Sequence, residues 1–432
     1  MIEKTKGIKD IRKLTKYLPT VRYVDPDYVY LAVTNARCGT SEIYCKPGDY
    51  VKIGTVIGVR HGGYFDQPIH STVSGEVVGT VKKFHRAGKM VDFIQIKNDK
   101  LNTFDESVHE RSDEEIEKLT KDDMAEIVKN CAVVGMGGSS FPTYIKFQTK
   151  DPIKYLLING VECEPYLSSD HRLMMEMPDR IMIGIKYCLQ AFKAEKAIIC
   201  IKKKYDDIYD VLSAIKEKYS DLPIEICRVG NYYPQGWEIE MIKSALGISI
   251  PSGVLPSKYG IMNFNVATVV GIYKAIKYNL PVVKRYFTLT GDGIKFPQNF
   301  RVRVGTSVQE LIKLCGGYVN EDVDKVFILG GPMMGVSHVR DDVIVTRTVT
   351  SVIILNHHEL IEEPCVRCAS CVYSCPVGLE PVNIMNAFKA GDTDAIIKLG
   401  AKKCIECGLC SYSCTSKIPV TEYMRKAKRL IK

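Results

Sequence analysis

Hydrophobic and polar positions change rhythm several times along this chain. Residues 1–105 set short apolar runs between glycine turns, as in KPGDYVKIGTVIG from Lys46 and PIHSTVSGEVVGTV from Pro68, which predicts short strands. Asp105 to Asn130 is dense in charge. There Ser112 and Glu115 have capping-box spacing, and Ile116, Leu119, Ile127 and Val128 form a helical stripe. Strand-like runs then alternate with helical ones: CAVVGMGG, KYLLING, a helix from Arg180 to Phe192, KAIICIKKK, a helix around Ile208 to Lys218, and IEICRV. That alternation predicts an α/β domain over 106–284 with a mainly parallel sheet. From Arg285, RYFTLTGDGIKFPQNFRVRVGTSVQELIKLCGG reads as a hairpin and a helix, and KVFILGGPMMG as a strand and turn. This predicts a small β-grasp-like module over 285–355. Residues 356–432 are rich in cysteine and poor in strands. The linking segment VNIMNAFKAGDTDAIIKLGAKK is amphipathic and helical.

The first unit resembles a biotinyl or lipoyl barrel-sandwich. A carrier domain of that kind presents a lysine at a hairpin. Here the position reads Ser71-Thr72-Val73-Ser74, with no lysine for a swinging arm, so the domain is expected to be scaffold. The expected fold class is thus multidomain α/β: barrel-sandwich, Rossmann-like domain, β-grasp, and a ferredoxin-like end.

Composition narrows the setting. No apolar stretch approaches the roughly 20 residues that cross a bilayer, and the N-terminus MIEKTKGIKDIRKLTK has no signal-peptide core. A cytoplasmic protein with no transmembrane segment is expected, free or peripheral on the cytoplasmic face of a membrane complex. Sixteen cysteines in a reducing compartment are metal ligands, redox thiols or small core residues rather than disulfides. The net charge is +9, and Ala401 to Lys432 alone holds eight Lys or Arg against two Glu, a net of +6. Without an aromatic platform or helix-turn-helix pattern this excludes nucleic acid. It suits a solvated helix face or a docking surface for an acidic partner.

The cysteine spacing carries the chemistry. Cys365, Cys368, Cys371 and Cys375 follow C-x2-C-x2-C-x3-C-P, closed by Pro376. Cys404, Cys407, Cys410 and Cys414 repeat the spacing 39 residues later, with Thr415 in the adjacent proline position. Three thiolates two residues apart curl around one face of an iron–sulfur cube, and the fourth arrives from the other motif. Cys365, Cys368, Cys371 and Cys414 are therefore assigned to one four-iron four-sulfur cluster. Cys404, Cys407, Cys410 and Cys375 are assigned to the second. Zinc sites use fewer cysteines, in CxxC pairs.

Two further motifs stand at strand ends. Gly135-Met136-Gly137-Gly138-Ser139-Ser140-Phe141-Pro142 is a glycine turn of the kind that lets backbone approach a phosphate. It departs from G-x-G-x-x-G, and alone it is equally a tight turn. Lys146 follows and is placed to neutralise a phosphate. In Asn159-Gly160-Val161-Glu162-Cys163-Glu164, the two glutamates share one face of an extended segment. They suit ribose hydroxyls or a nicotinamide amide, and equally a solvated strand end.

Taken together, GMGGSSFPTYIK and NGVECEPYLSSDHRLM resemble the flavin-site signature of the RnfC family of electron-transport proteins. They are also similar to the NADH-oxidising flavoprotein of respiratory complex I. NYYPQGWEIEMIKSALG, IPSGVLPSKYG, FNVATVVGIYKAI, YFTLTGDGIKFPQN and GGPMMG extend the resemblance over essentially the whole chain. It implies FMN bound by Gly135, Gly137, Gly138, Lys146, Asn159, Glu162, Asn265 and Thr268. It places Phe141, Glu164 and Glu238 beside NADH. The implied chemistry is hydride transfer from NADH to the flavin and single-electron transfer to the clusters.

The sequence departs from that family at two points. The family's early GG-x-HP and QH-x-G stretches read MIEKTKGIKDIRKL and VTNARCGTSEIYC here, the latter offering Cys38 and Cys45. Arg37 and Lys46 flank these thiols, which favours thiolate and predicts a thiol redox station; two small buried cysteines are the bland alternative. The departure resembles the proline-reductase-associated relative, and a soluble reductase is therefore the first expected electron acceptor. A peripheral subunit of a membrane complex working between NADH and ferredoxin is the second reading. A non-enzymatic wiring module holding clusters without a working flavin is the third.

Overall fold

The structure is a computed structural model and describes residues 8, 11, 14–86 and 88–431. The N-terminal stretch set against GG-x-HP lies mostly outside the described residues.

The first unit is two antiparallel sheets. One orders Tyr28–Ala32, Lys89–Asn98, Gly75–His85 and Tyr50–Val51; the other orders Thr40–Ile43, Val56–His61 and Asp66–His70. Period-two alternation turns Val29, Leu31, Val51, Ile57, Ile69, Val77, Ile94 and Ile96 into one shared core. The turn that a carrier domain would swing is locked. Ser71, Thr72, Val73 and Ser74 are all buried, and the Thr72 hydroxyl donates to the Val304 carbonyl at 2.6 Å.

The helical segment divides into Asp113–Glu117 and Lys121–Asn130. Ser112 and Glu115 form the expected capping box, and Thr120 with Asp123 forms a second one. The α/β unit follows. Its four strands are all parallel and lie in the order Ile224–Val229, Lys196–Lys202, Tyr155–Asn159, Ile261–Asn265. The chain leaves the first strand, Tyr155–Asn159, toward one side and returns on the other. The gap beyond its end is thus a topological switch point, where open α/β sheets bind ligands. Asn159 and Asn265 are register partners at the carboxyl ends of the two strands flanking it. Val133 and Val134, expected as a strand, contribute only one bridge, Val134 with Pro142. The sheet edge that they would extend is already taken by Ile261–Asn265.

The third unit is a six-stranded mixed sheet with helix Val308–Leu314. Its outer strand is Val21–Tyr23, paired in parallel with Gln298–Arg303. Residues expected in the barrel unit thereby complete this sheet. At the end of the chain two similar halves pack together: Ser370–Tyr373 and Pro381–Lys389, then Leu409–Tyr412 and Val420–Leu430. The linking helix breaks into Pro381–Lys389 and Thr393–Lys398 at Gly391, whose φ is +72°. No helix among the described residues is long and apolar enough to cross a membrane.

Candidate functional site

The glycine turn closes on itself before it meets anything else. Gly135 N–H donates to the Phe141 carbonyl at 2.8 Å and Ser140 N–H to the Gly135 carbonyl at 3.1 Å. Thr268 then pins it: Met136 N–H donates to the Thr268 hydroxyl at 2.9 Å. Thr268 lies in the first turn of Val266–Tyr278, and Asn265 is the N-cap, accepting from Ala267 N–H at 2.9 Å. The turn therefore rests against the positive end of a helix dipole, a place suited to an anion. A Cβ on Gly137 would sit 3.2 Å from the Asn265 side chain, so the backbone comes this close only as glycine.

A cavity of about 760 Å³ opens between this turn and the switch point. Gly135, Gly137, Lys146, Asn159, Asn265 and Thr268 line it, together with Phe141 and Glu238. All eight are among the residues that the sequence motifs point to. Lys146 Nζ donates to the Asn263 carbonyl at 2.5 Å, and burial pushes its ammonium pKa down while Glu238 opposes the shift. Asp170 joins them without any motif to mark it. Its buried carboxylate accepts from Asn265 Nδ2 at 2.7 Å and so orients that side chain.

Three of the expected site residues take other positions. Gly138 lines a separate cavity behind the turn. Glu162 is buried and accepts from Asp170 N–H at 3.1 Å and from the Ser169 hydroxyl at 3.3 Å, which holds the start of helix Ser169–Glu176. Glu164 reaches the third unit, where its oxygens accept from Met333 N–H at 3.0 Å and Met334 N–H at 2.9 Å. That close fit needs Gly331, because a Cβ there would lie 2.1 Å from the Glu164 carboxyl carbon. Burial pushes the Glu164 carboxyl up to about 7, outweighing the two amides and Arg86.

The cysteines separate into two neighbourhoods. Cys365 and Cys414 stand in electrostatic reach of Cys371. Cys375 stands near Cys404, Cys407 and Cys410. Backbone amides of Leu379 and Glu406 point at the sulfurs of Cys375 and Cys404, at 3.3 and 3.4 Å, as they do for charged cluster thiolates. The duplication extends to the backbone: Arg367 and Glu406, and Ala369 and Gly408, are positions 39 apart and all have positive φ. At the join, the equivalent hydroxyls of Ser374 and Ser413 lie 2.9 Å apart. Among the described residues no three His, Cys, Asp or Glu side chains close on a single metal ion. The donor set, its thiol-directed amides and its crossed grouping fit two four-iron four-sulfur clusters.

The Cys407 neighbourhood abuts the α/β domain. Tyr233, Met333, Cys407 and Leu409 form one buried group, with Cys163 packed against it. The Tyr233 hydroxyl donates to the Cys407 carbonyl at 2.8 Å. Gly408 sits against Met333, whose carbonyl would be 2.5 Å from an added Cβ. No local sequence pattern flags Tyr233.

Cys38 is fully buried and Cys45 partly so; they lie in different cores and both are free thiols. Burial pushes both thiols up, whereas the flanking cations alone suggest a downward shift. The cations opposing it at Cys38 are Arg60 and Arg347, not Arg37. Arg37 instead donates to the Ser139 carbonyl at 3.0 Å and lies over the Phe141 ring at 5.7 Å.

Comparison with known proteins agrees with this layout. Four family models match in order: the RnfC barrel sandwich hybrid domain over 5–101, the Nuo51 FMN-binding domain over 128–274, the SLBB domain over 286–337, and a 4Fe-4S dicluster domain over 358–415. The NAD+-reducing [NiFe]-hydrogenase shares the fold with a TM-score of 0.53 at 16% identity, over 72% of this chain and 66% of that one. The RnfC-type component of the ion-translocating oxidoreductase complex of Rhodobacter capsulatus is 32% identical over 83% of this chain and 69% of its own length. The corresponding component of the Na+-translocating ferredoxin:NAD+ oxidoreductase complex of Acetobacterium woodii is 35% identical, over 78% of this chain and 76% of that protein. With that identity over that span, and with all four domains in order, the chain belongs to the RnfC family of electron-transfer oxidoreductase subunits.

Proposed function

We propose that this chain is the NADH-reactive subunit of an ion-translocating complex working between NADH and ferredoxin, peripheral on its cytoplasmic face. The observation that carries the reading is the join between the flavin cavity's domain and the Cys407 neighbourhood through Tyr233 and Met333. FMN supplies the conversion between the two-electron hydride chemistry of NADH and the single-electron steps of the clusters.

The protein's own groups provide the setting. Gly135, Gly137 and the first turn of Val266–Tyr278 offer amides to the flavin phosphate, and Lys146 offers charge. Asn159 and Asn265 present amides at the switch point, the latter oriented by Asp170. Phe141 and Glu238 line the side open to a nicotinamide dinucleotide. Glu164 serves that site indirectly, by fixing the GGPMMG turn between the flavin domain and Gly408.

The names of the relatives in Acetobacterium woodii and Rhodobacter capsulatus support the membrane-complex reading over a soluble reductase of the proline-reductase type. The buried, upshifted Cys38 and Cys45 also give the thiol relay little support. Co-purification decides between the two. Recovery with integral-membrane partners and NADH-dependent flavin bleaching bears out the proposal. Recovery with a soluble reductase supports the other reading, and clusters without flavin support the wiring module.

A further inference from the structure

Behind the glycine turn lies a second cavity of about 660 Å³, between the barrel-sandwich and the flavin domain. It lies within the size range of small-molecule sites. Ser139 lines both cavities, while Gly138 and Ser140 face only this one. Arg37, Arg60, Arg86 and Arg347 line it from four separate segments.

Their hydrogen bonds go to carbonyls. Arg60 donates to Ala32, Arg86 to Gly138 and Thr348, Arg347 to Ala132 and Pro68, and Arg37 to Ser139. Among the described residues none of the four is within ion-pair distance of a carboxylate. Glu406 is the acidic group in the lining, and it is already paired with Lys428 at 3.0 Å and Arg425 at 3.5 Å. Glu164 acts on Arg86 only at longer range. Two lining groups are also orphaned: buried His70 lacks a partner at Nδ1, and Thr346 lacks one at its hydroxyl. Burial and the neighbouring Arg347 and Arg60 keep His70 neutral, with its pKa pushed down to about 3.

Crowded guanidinium groups without counterions are costly unless an anion shares their donors. Guanidinium forks match phosphate oxygens in pairs, and each group here keeps N–H donors beyond those used. The remaining wall is apolar or aromatic, with Tyr30, Leu31, Ile69 and Val282. A bare inorganic ion would leave that wall unused.

We propose that this cavity binds a phosphate-bearing organic anion of nucleotide size, at a site separate from the flavin and dinucleotide cavity, held by Arg37, Arg60, Arg86 and Arg347. Its ligand is felt at the first cavity through Arg37, whose guanidinium lies over Phe141, and through Ser139, common to both walls.

The test uses the full-length protein loaded with flavin and clusters, and ADP as the probe in equilibrium dialysis. ADP is expected to bind at a single saturable site, to weaken with added salt, and to persist under saturating NAD+. Pyrophosphate should compete, whereas adenosine should not. Ala36→Trp narrows the cavity from an exposed lining position, and Arg37→Glu reverses one charge; each should weaken ADP at least tenfold. Flavin content and melting temperature of Ala36→Trp serve as the folding control. Absence of ADP binding overturns the proposal. So does displacement of ADP by NAD+, which assigns it to the dinucleotide pocket, or undiminished binding by both variants. NADH-dependent flavin bleaching, measured on the same preparations, reports separately on the function proposed above.

Discussion

The Tyr233 hydroxyl donates to the Cys407 backbone carbonyl across 2.8 Å of buried interface. One partner belongs to the flavin domain and the other to a cluster-binding motif. The bond fixes the position of a thiol ligand relative to the flavin cavity, and electron transfer between two centres depends on that spacing.

Tyr233→Phe tests the fixture. The ring remains to fill the space and only the donor is lost, so a buried carbonyl goes unpaired at a cost of about 1–3 kcal/mol. The variant should keep its clusters and its NADH–dye activity. Reduction of the clusters by NADH should slow, and the melting temperature should fall. Unchanged cluster reduction in rapid-mixing experiments would remove Tyr233 from the account.

The Glu164 contact should respond to pH. Its carboxyl is pushed up to about 7, above its ordinary value of 4.5, so the folded state favours the protonated form. Its contribution is fullest below pH 4.5, declines as pH rises toward 7, and is level above that. The span is on the order of 3 kcal/mol. Glu164→Gln removes the titration, so the pH profile of its melting temperature should be flatter over this interval. Parallel profiles for the two proteins would contradict the assignment.

Crossed ligation makes an uncommon prediction. Cys375 belongs to the first motif but stands among Cys404, Cys407 and Cys410. Cys375→Ala should therefore lose the cluster of the second motif and about half of the iron. Electron paramagnetic resonance of the reduced protein should retain the signal of the cluster held by Cys365, Cys368 and Cys371. Loss of that cluster instead would mean that each motif serves itself.

Gly137→Ala tests the flavin cradle. The added Cβ would press on Asn265 at 3.2 Å, and Asn265 is held by both Asp170 and its helix. FMN affinity should drop roughly tenfold, about 1.4 kcal/mol. Fluorescence titration of the flavin-free protein with FMN measures it, and an unchanged affinity would place the flavin elsewhere.

Much of this architecture is legible in local spacing. The paired cysteine motifs, the Ser112 capping box and the strands ending at Asn159 and Val229 are short-range patterns, and short-range patterns report local geometry. The eight residues around the larger cavity come from the resemblance, whose motifs converge on one switch point. What stays hidden is contact between distant segments. Glu164 meets Met333 across 169 positions, and Tyr233 meets Cys407 across 174. Nothing in the neighbourhood of either residue encodes such a meeting. Arg37 shows the same limit: it looks like a cation beside Cys38, yet the fold turns it onto Phe141 and Ser139. Val133 and Val134 read as a strand because apolarity alone does not say whether a sheet edge is free.

The central claim is that electrons from NADH pass through the flavin site to clusters held by the duplicated cysteines. Anaerobic rapid mixing with NADH, followed by absorbance and by electron paramagnetic resonance, tests it most directly. The account predicts that the flavin bleaches first and the clusters are reduced after it, and that protein stripped of FMN shows neither change. Cluster reduction by NADH in the FMN-free protein, or a bleached flavin beside clusters that stay oxidised, would contradict it.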